Sequence, residues 1–580
     1  MRYFICALFL ASLNYIAWKS SGGSIVSLKN AIMTMLTVLL EPMFFMGVMC
    51  LSNIFAKGRV NVIIRKMLGT IYLAVFLSEC FYYGVSGEWI SLLALNNMNQ
   101  AYLLINIKYV GIIAMGVAII VAYFIFIDKC SVHRGGAKVI GGVTLISFLM
   151  LLVISTSIHA YAGISAKKVT PVASFIRNIY FLYSNSFSVQ NVDGYPFRKE
   201  KVYQSEIPFE KKTETMPNVI IVFTEGTSSR LIGAYNPKFH DVTPNIDAFA
   251  ASSMRVDNYY NHTAATFRGT FGQLTSSYNL RGGYGQGGWD STKNDLKKRQ
   301  FQSLPRILND TYTTVFFSPH VRSDAYTDLL ETLNFQYIYT RDEIRADFLD
   351  YDCETFHESL KDVDMYNALI SYLENYNNDK SLFVSMYTFD THLGVELPDE
   401  VPQYEKDGET YESINSLHNL DTAFGKFWQW FIHSKYKDNT IVIFTADHAH
   451  YYDNDFVKLV KNDSDYTRCF IDRIPLIIYD PVHQLPEKID ANDRTSLDFA
   501  PTICHLLEMN KENSFLGKSL FENSSSNISV AAIGQEFYGI YNHKVYKSDE
   551  IDSRFKDEFD RSQDLINKFY MYESANKVFR

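Results

Sequence analysis

Long apolar runs fill roughly the first 165 residues, whereas everything after them is polar with only short apolar stretches. A single water-soluble globule cannot bury such runs, and a bilayer can. Five runs approach or exceed what a hydrocarbon core of ~30 Å requires: Tyr3–Trp18, Ala31–Ala56, Met67–Val85, Tyr109–Ile127 and Val139–Ile164. The first has the length of a cleaved signal peptide. Ala11-Ser12-Leu13 is a poor cleavage site and further runs follow, so a retained anchor is expected. The sequence therefore predicts a transmembrane domain over 1–165, a juxtamembrane linker over 166–216 and a water-soluble domain over 217–580.

Basic residues resist translocation and so set the orientation. The second connection holds Lys57, Arg59, Arg65 and Lys66, and the fourth holds Lys129, Arg134 and Lys138; the first and third have only Lys19, Lys29 and Lys108. The N-terminus is then cytoplasmic, and an odd number of spans puts the large domain outside. A multi-pass protein of the inner (cytoplasmic) membrane with a periplasmic domain is expected. The formal charge of −9, from 54 Lys+Arg against 63 Asp+Glu, lacks the basic excess that phosphate-backbone binding demands, so nucleic acid is excluded as a partner. Of seven cysteines, Cys353, Cys469 and Cys504 fall in the outer domain, too few for a disulfide scaffold.

Between the third and fourth runs, Ser91–Leu104 is amphipathic. It reads as an interfacial helix, with Asn96, Asn97 and Gln100 as an alternative headgroup contact. The linker is polar and aromatic, with a weak helical signal at Val172–Leu182. Beyond it, Asn218–Glu225 and Asn439–His448 are β-branched runs apolar on both faces, the pattern of central parallel strands. Thr313–Phe317, Ser381–Tyr387 and Pro475–Tyr479 read similarly, with helical patterns between them at Thr243–Ser253, Ser303–Asn309, Met365–Tyr376 and Ser413–His433. Such alternation predicts an α/β domain with a mainly parallel sheet. Gly282–Gly288 lacks a preceding strand and a Lys-Ser/Thr ending, so it reads as a surface loop rather than a phosphate-binding loop.

Ligands of open α/β sheets gather at the carboxyl ends of strands. Glu225 ends one strand run and Asp447-His448 ends another, so two carboxylates and an imidazole meet at one edge, a donor set for a divalent cation. Asn261–Thr275 begins as a loop and continues as a helix from about Thr266. A hydroxyl at a helix start receives backbone N–H groups and the positive end of the dipole, and contact with a cation would favour its ionised form.

These stretches resemble the alkaline phosphatase/sulfatase superfamily, and the membrane-plus-domain layout resembles its bacterial phosphoethanolamine and glycerol-phosphate transferases. Glu225 after the first strand, Thr243-Pro-Asn-Ile-Asp-Ala-Phe-Ala, Asp447-His448, Leu497–Leu507 and Gly517-Lys-Ser-Leu carry the likeness from about Pro217 to Phe521. The resemblance implies a sulfatase-like α/β fold and one zinc or manganese ion on Glu225, Thr266, Asp447 and His448. In the family an apolar residue and often Thr follow the nucleophile by eight and nine positions. Leu274 and Thr275 then select Thr266, with Thr263 and Thr270 as fallbacks. His392, in Thr388-Phe-Asp-Thr-His-Leu-Gly, resembles a substrate-binding Thr-His segment; His450, His320 and Arg268 are further candidates for substrate contact.

Sulfatases proper carry Cys or Ser followed by x-Pro-x-Arg, and here Thr266-Phe-Arg-Gly stands with a single Glu225, so sulfate ester hydrolysis is the lesser option. The resemblance implies a phosphotransferase with a phosphothreonine-type intermediate. It would move a headgroup from a phospholipid donor such as phosphatidylethanolamine to an envelope glycan or glycolipid, lipopolysaccharide included. Gln100 stands where the phosphoethanolamine enzymes have Glu, and their Cys-Gly-Thr motif is absent, so transfer of glycerol phosphate from phosphatidylglycerol stays open. A lipid-binding regulator without catalysis is the alternative from another class.

Overall fold

The described parts of all five apolar runs are helical in the computed structural model, which describes residues 2–20, 28–55, 58–86, 89–90, 107–126, 137–156, 170–176, 195–279, 301–353, 355–356, 358–392, 404–406, 408–524 and 526–574. The chain divides into two compact units, Met1–Ser186 and Phe187–Arg580. In the first unit, α1 (Arg2–Ser20), α2 (Leu28–Phe55), α3 (Arg59–Ser86), α4 (Ile107–Phe126) and α5 (Ala137–Thr156) follow the runs. Only Thr34–Ile54 and Arg59–Gly84 are by themselves long and apolar enough to cross a membrane among the described residues. Gly111–Ile125 and Lys138–Leu151 are shorter apolar segments. The expected five-span bundle is thus met in helix number but narrowed to two segments in span length. Phe45 of α2 stacks on Tyr72 of α3 with ring centroids 3.6 Å apart. The Glu41 carboxylate accepts from the Val172 and Ala173 N–H groups, both at 3.1 Å, at the start of the helical segment 171–176. The predicted interfacial stretch, Gly282–Gly288 and the linker residues after 176 up to 194 lie outside the described residues.

The second unit is an α/β domain. Its sheet contains β1 (Asn218–Thr224), β2 (Met254–Asp257), β3 (Tyr312–Phe317), β4 (Tyr337–Tyr339), β5 (Ser381–Tyr387), β6 (Thr440–Ala446), β7 (Leu476–Tyr479) and β8 (Lys488–Asp490). The strand order is β8-β2-β7-β6-β1-β5-β3-β4. Every pairing is parallel except those of β7 with β6 and β2. The reversal has a simple cause: after β6 the chain stays at the carboxyl edge until Pro475 and enters β7 from there, so no crossover turns it round.

Side chains alternate across a strand, and β1 uses both faces. Val219, Ile221 and Phe223 pack in one cluster with Phe271 and Leu274 of α7 (Thr266–Thr275), and with Phe499 and Ile503 of α10 (Phe499–Leu506). Ile220 and Val222 pack in the other with Ile246 and Phe249 of α6 (Pro244–Ala251), Met365 and Leu369 of α8 (Asp362–Asn375), and Leu420 and Phe424 of α9 (Glu412–Phe431). With helices on both faces, β1 is fully buried and its carboxyl end opens at the centre of the sheet edge. A three-stranded antiparallel sheet over Ser529–Lys547 buries its own cluster against Phe559, Ile566 and Phe569 of α11 (Ser553–Ser574).

Candidate active site

Register brings the first two carboxylates together. Thr224 of β1 lies opposite Ala446 of β6 in a parallel ladder, so Glu225 and Asp447 leave the sheet side by side. Gly226 then turns the chain at a φ of +49°, a conformation that suits a residue without a side chain. Its N–H donates to Asp447 Oδ1 at 2.9 Å, and the His448 N–H donates to the same oxygen at 2.7 Å. Asp447 Oδ2 is left buried without a hydrogen bond. His448 Nδ1 lies 2.7 Å from the Ala449 carbonyl oxygen, which fixes that nitrogen as the N–H donor. The other ring nitrogen, Nε2, faces Glu225 Oε1 at 3.2 Å and Asp447 Oδ2 at 3.5 Å, yet it too is buried without a hydrogen bond.

Glu225, Asp447 and His448 each offer one ligand atom, and these atoms lie within 4.8 Å of one another. Two buried polar atoms without hydrogen bonds, one on a carboxylate and one on an imidazole turned toward two carboxylates, suit a divalent cation. The donor set therefore fits a divalent cation, as the resemblance implies. Without a cation the electrostatics are unbalanced. Burial pushes Glu225 up, but the His448 charge, helped by His392 and the Tyr387 hydroxyl, holds it well below the usual carboxylate range. Burial and then the charge of Glu225 raise Asp447 to about 8. Burial would pull His448 down, yet Asp447 and Glu225 hold it up at about 9. Protons and a cation would therefore compete for the same donors.

Thr266 is the first residue of α7, and its hydroxyl donates to Glu225 Oε2 at 2.8 Å. The preceding Ala265 offers the first turn no side-chain cap. The helix is pinned to the sheet edge: Gln273 Nε2 donates to the carbonyls of Ala446 at 2.9 Å and Asp447 at 3.1 Å. At Gly269 an added Cβ would stand 2.2 Å from the Asp447 carbonyl oxygen, so the close approach depends on glycine. Of the fallback threonines, Thr270 receives the Tyr326 hydroxyl at 3.1 Å, and Thr263 is buried with its carbonyl accepting from Asn261.

The remaining candidates fall in different places. His392 follows β5 and lies near enough to Glu225 to help lower its pKa; its ring centroid is 4.9 Å from that of Phe389. His320 follows β3, with Nδ1 2.8 Å from Ser359 Oγ and rings of Tyr326, Tyr387 and Phe389 around it; burial lowers its pKa. His450 Nδ1 lies 2.7 Å from the Tyr451 carbonyl oxygen, and its ring stacks on Phe456. Arg268 is buried and donates to the carbonyls of Asn279 and Ala264 at 3.1 and 3.2 Å, which braces α7 at its base. Two contacts at the site were not expected from the sequence, although Thr391 stands in the Thr-His segment named there. The Tyr387 hydroxyl donates to Glu225 Oε2, and Thr391 Oγ1 donates to the Glu225 carbonyl at 2.6 Å. Applying the strand-end rule to Ser381–Tyr387 as well would have found both.

A mostly parallel sheet covered by helices, with this donor set at its carboxyl edge, is the architecture of an enzyme of the alkaline phosphatase superfamily. More specifically, residues 217–509 match the Sulfatase family, and the chain belongs to that family. Among solved structures, the chain is similar to an alkaline phosphatase superfamily protein from Vibrio parahaemolyticus, at 17% identity and a TM-score of 0.50, over 67% of this chain and 94% of that one. It is also similar to the integral membrane lipooligosaccharide phosphoethanolamine transferase A from Neisseria meningitidis, at 14% identity and a TM-score of 0.56, over 87% of this chain and 95% of that one. No curated protein matches the chain.

Proposed function

We propose that the protein is a membrane-anchored phosphotransferase that moves a headgroup, phosphoethanolamine first, from a phospholipid to an envelope glycan or glycolipid by way of Thr266. The observation that carries this reading is the 2.8 Å hydrogen bond from Thr266 Oγ1 to Glu225 beside the Asp447 and His448 donors. Zinc or manganese held by Glu225, Asp447 and His448 would supply positive charge that eases ionisation of a hydroxyl and neutralises a phosphodiester. Glu225 Oε2 fixes the direction of the Thr266 hydroxyl, so its oxygen is aimed before the donor arrives. The first-turn N–H groups of α7 stand ready for the non-bridging phosphate oxygens. Thr266 Oγ1 gives up its proton and bonds phosphorus as the bond to diacylglycerol breaks and that oxygen leaves protonated; an acceptor hydroxyl or phosphate then loses its proton, takes the group, and Thr266 regains its hydroxyl proton. His392, with His320 beyond it, is suited to hold phosphate or carry the acceptor proton; His450 and Arg268 are weaker choices for that part.

The five N-terminal helices serve in this reading as a multi-pass inner-membrane anchor with the catalytic domain periplasmic, which keeps the site beside its lipid donor. The likeness to a phosphoethanolamine transferase over most of the chain supports it. Intact-mass analysis of the purified protein after incubation with phosphatidylethanolamine or phosphatidylglycerol tests it. An ethanolamine-phosphate adduct on Thr266 supports the proposal, and a glycerol-phosphate adduct redirects the donor. An adduct that persists in Thr266→Ala overturns the nucleophile. Metal-loaded protein with neither adduct nor turnover leaves a lipid-binding regulator, and release of sulfate from a sulfate ester leaves a hydrolase.

A further inference from the structure

Two buried side chains on a single stretch of chain reach the loops that carry the two outer histidines. Ser359 lies in the two-residue strand Ser359–Leu360, and Asp362 is the first residue of α8. They are 2% and 0% exposed. The stretch runs along the carboxyl edge beside the neighbouring strands β3 and β5, whose following loops carry His320 and His392.

At the first loop, Ser359 Oγ is 2.8 Å from His320 Nδ1, and the Leu360 N–H donates to the Pro319 carbonyl at 3.1 Å. At the second loop, Asp362 Oδ1 accepts from the Phe389 N–H at 2.7 Å and the Asp390 N–H at 3.1 Å. The grip is reciprocal: Asp390 Oδ2 accepts from the Asp362 N–H at 3.1 Å and from Asn419 Nδ2 at 2.9 Å. From the clamped pair the chain continues directly to Thr391, bonded to the Glu225 carbonyl at 2.6 Å, and to His392, whose N–H donates to the Phe389 carbonyl at 3.0 Å. The Phe389 ring has its centroid 5.0 Å from that of His320 and 4.9 Å from that of His392, in contact with both imidazoles.

We propose that Ser359 and Asp362 are positioning residues, which set the imidazoles of His320 and His392 at the Glu225 edge through one shared segment. The inference rests on the transfer reading above. A buried carboxyl group is costly unless its hydrogen bonds are needed, and an apolar side chain would fill the same space more cheaply. Asp362 keeps one oxygen on two backbone N–H groups while the other is buried without a partner. That is the signature of a group retained for loop geometry. Burial and the neighbouring Asp390 also push the Asp362 pKa up, which disfavours its charge. Ser359, by engaging Nδ1 of His320, leaves Nε2 as the nitrogen that His320 can present to a substrate.

The test uses the full-length protein in detergent micelles with phosphatidylethanolamine as donor. It reads the rate of Thr266 adduct formation, the metal content, and acylation of each histidine by diethylpyrocarbonate, followed by peptide mass. Ser359→Ala is expected to slow adduct formation about tenfold and to add less than about twofold in a His320→Ala background, because residues acting through one group are non-additive. Asp362→Ala should behave likewise against His392→Ala, while Asp362→Asn restores the rate by keeping the accepting oxygen. Acylation should change at His320 in Ser359→Ala and at His392 in Asp362→Ala, with metal content as in the unsubstituted protein. Effects that multiply in the double variants, or acylation that does not move, overturn the proposal. Absence of any adduct in the unsubstituted protein refutes the transfer reading instead, and the acylation pattern then decides the clamp by itself.

Discussion

Thr266 Oγ1 donates a hydrogen bond to Glu225 Oε2 across 2.8 Å, joining the start of α7 to the end of β1 over 41 positions of sequence. The contact fixes a hydroxyl against the same carboxylate that faces His448 Nε2, so the proposed nucleophile and the candidate cation donors share one group.

Thr266→Ala should therefore reduce headgroup transfer by about a thousandfold or more, the usual cost of losing an attacking group. Thr266→Ser keeps the hydroxyl and should retain measurable transfer. Initial rates with a lipid donor, together with intact mass, check both. Equal activity of the alanine variant would transfer the role to Thr263 or Thr270.

Adding zinc or manganese to chelated protein should raise its melting temperature. A cation present at a hundredfold excess over its dissociation constant adds about 2.7 kcal/mol of stability. Glu225→Gln, Asp447→Asn and His448→Ala should each weaken metal binding at least about tenfold, since each removes a donor from a buried set. Calorimetry and metal analysis of the purified variants measure this.

Stability of the chelated protein should fall as pH rises from about 4 to about 9. Asp447 and His448 hold their protons more tightly in the folded chain than at their ordinary values of 3.8 and 6.5, with folded values of about 8 and 9. Their contribution is full below the unfolded values and is lost as pH passes the folded ones. Glu225 works the other way: its folded value is lowered, so its contribution is present above its ordinary 4.5 and is lost in acid below that. Metal affinity should rise over the same window, because binding displaces the protons. Denaturant unfolding with and without chelator, at several pH values, reads both slopes.

Gly269→Ala should impair the site from a distance. Its Cβ would meet the Asp447 carbonyl oxygen at 2.2 Å and carbon at 2.8 Å, so α7 must lift and carry Thr266 away from Glu225. A cost of about 1–3 kcal/mol in stability is expected, with a loss in transfer larger than that destabilisation accounts for. Urea unfolding alongside transfer rates separates the two effects.

The strands that build the site were legible because central parallel strands need apolar residues on both faces. Asn218–Thr224, Tyr312–Phe317, Ser381–Tyr387 and Thr440–Ala446 fall within two residues of their expected limits. Short strands were not legible: Met254–Asp257 and Lys488–Asp490 are held by pairing with neighbours distant in sequence, and their own pattern is too brief to announce them. Likewise the direction of β7 depends on which edge of the sheet the chain re-enters, which no local signal encodes.

The sequence by itself determined that residues ending two apolar β runs, Glu225 and Asp447-His448, would stand at strand ends, because strand length and side-chain alternation are local properties. Only the tertiary structure decided that β1 and β6 are neighbours in register, which His448 nitrogen is free, and that Tyr387, Thr391, Ser359 and Asp362 gather around the same edge. Those relations depend on contacts between segments far apart along the chain, formed when both faces of the sheet are buried together.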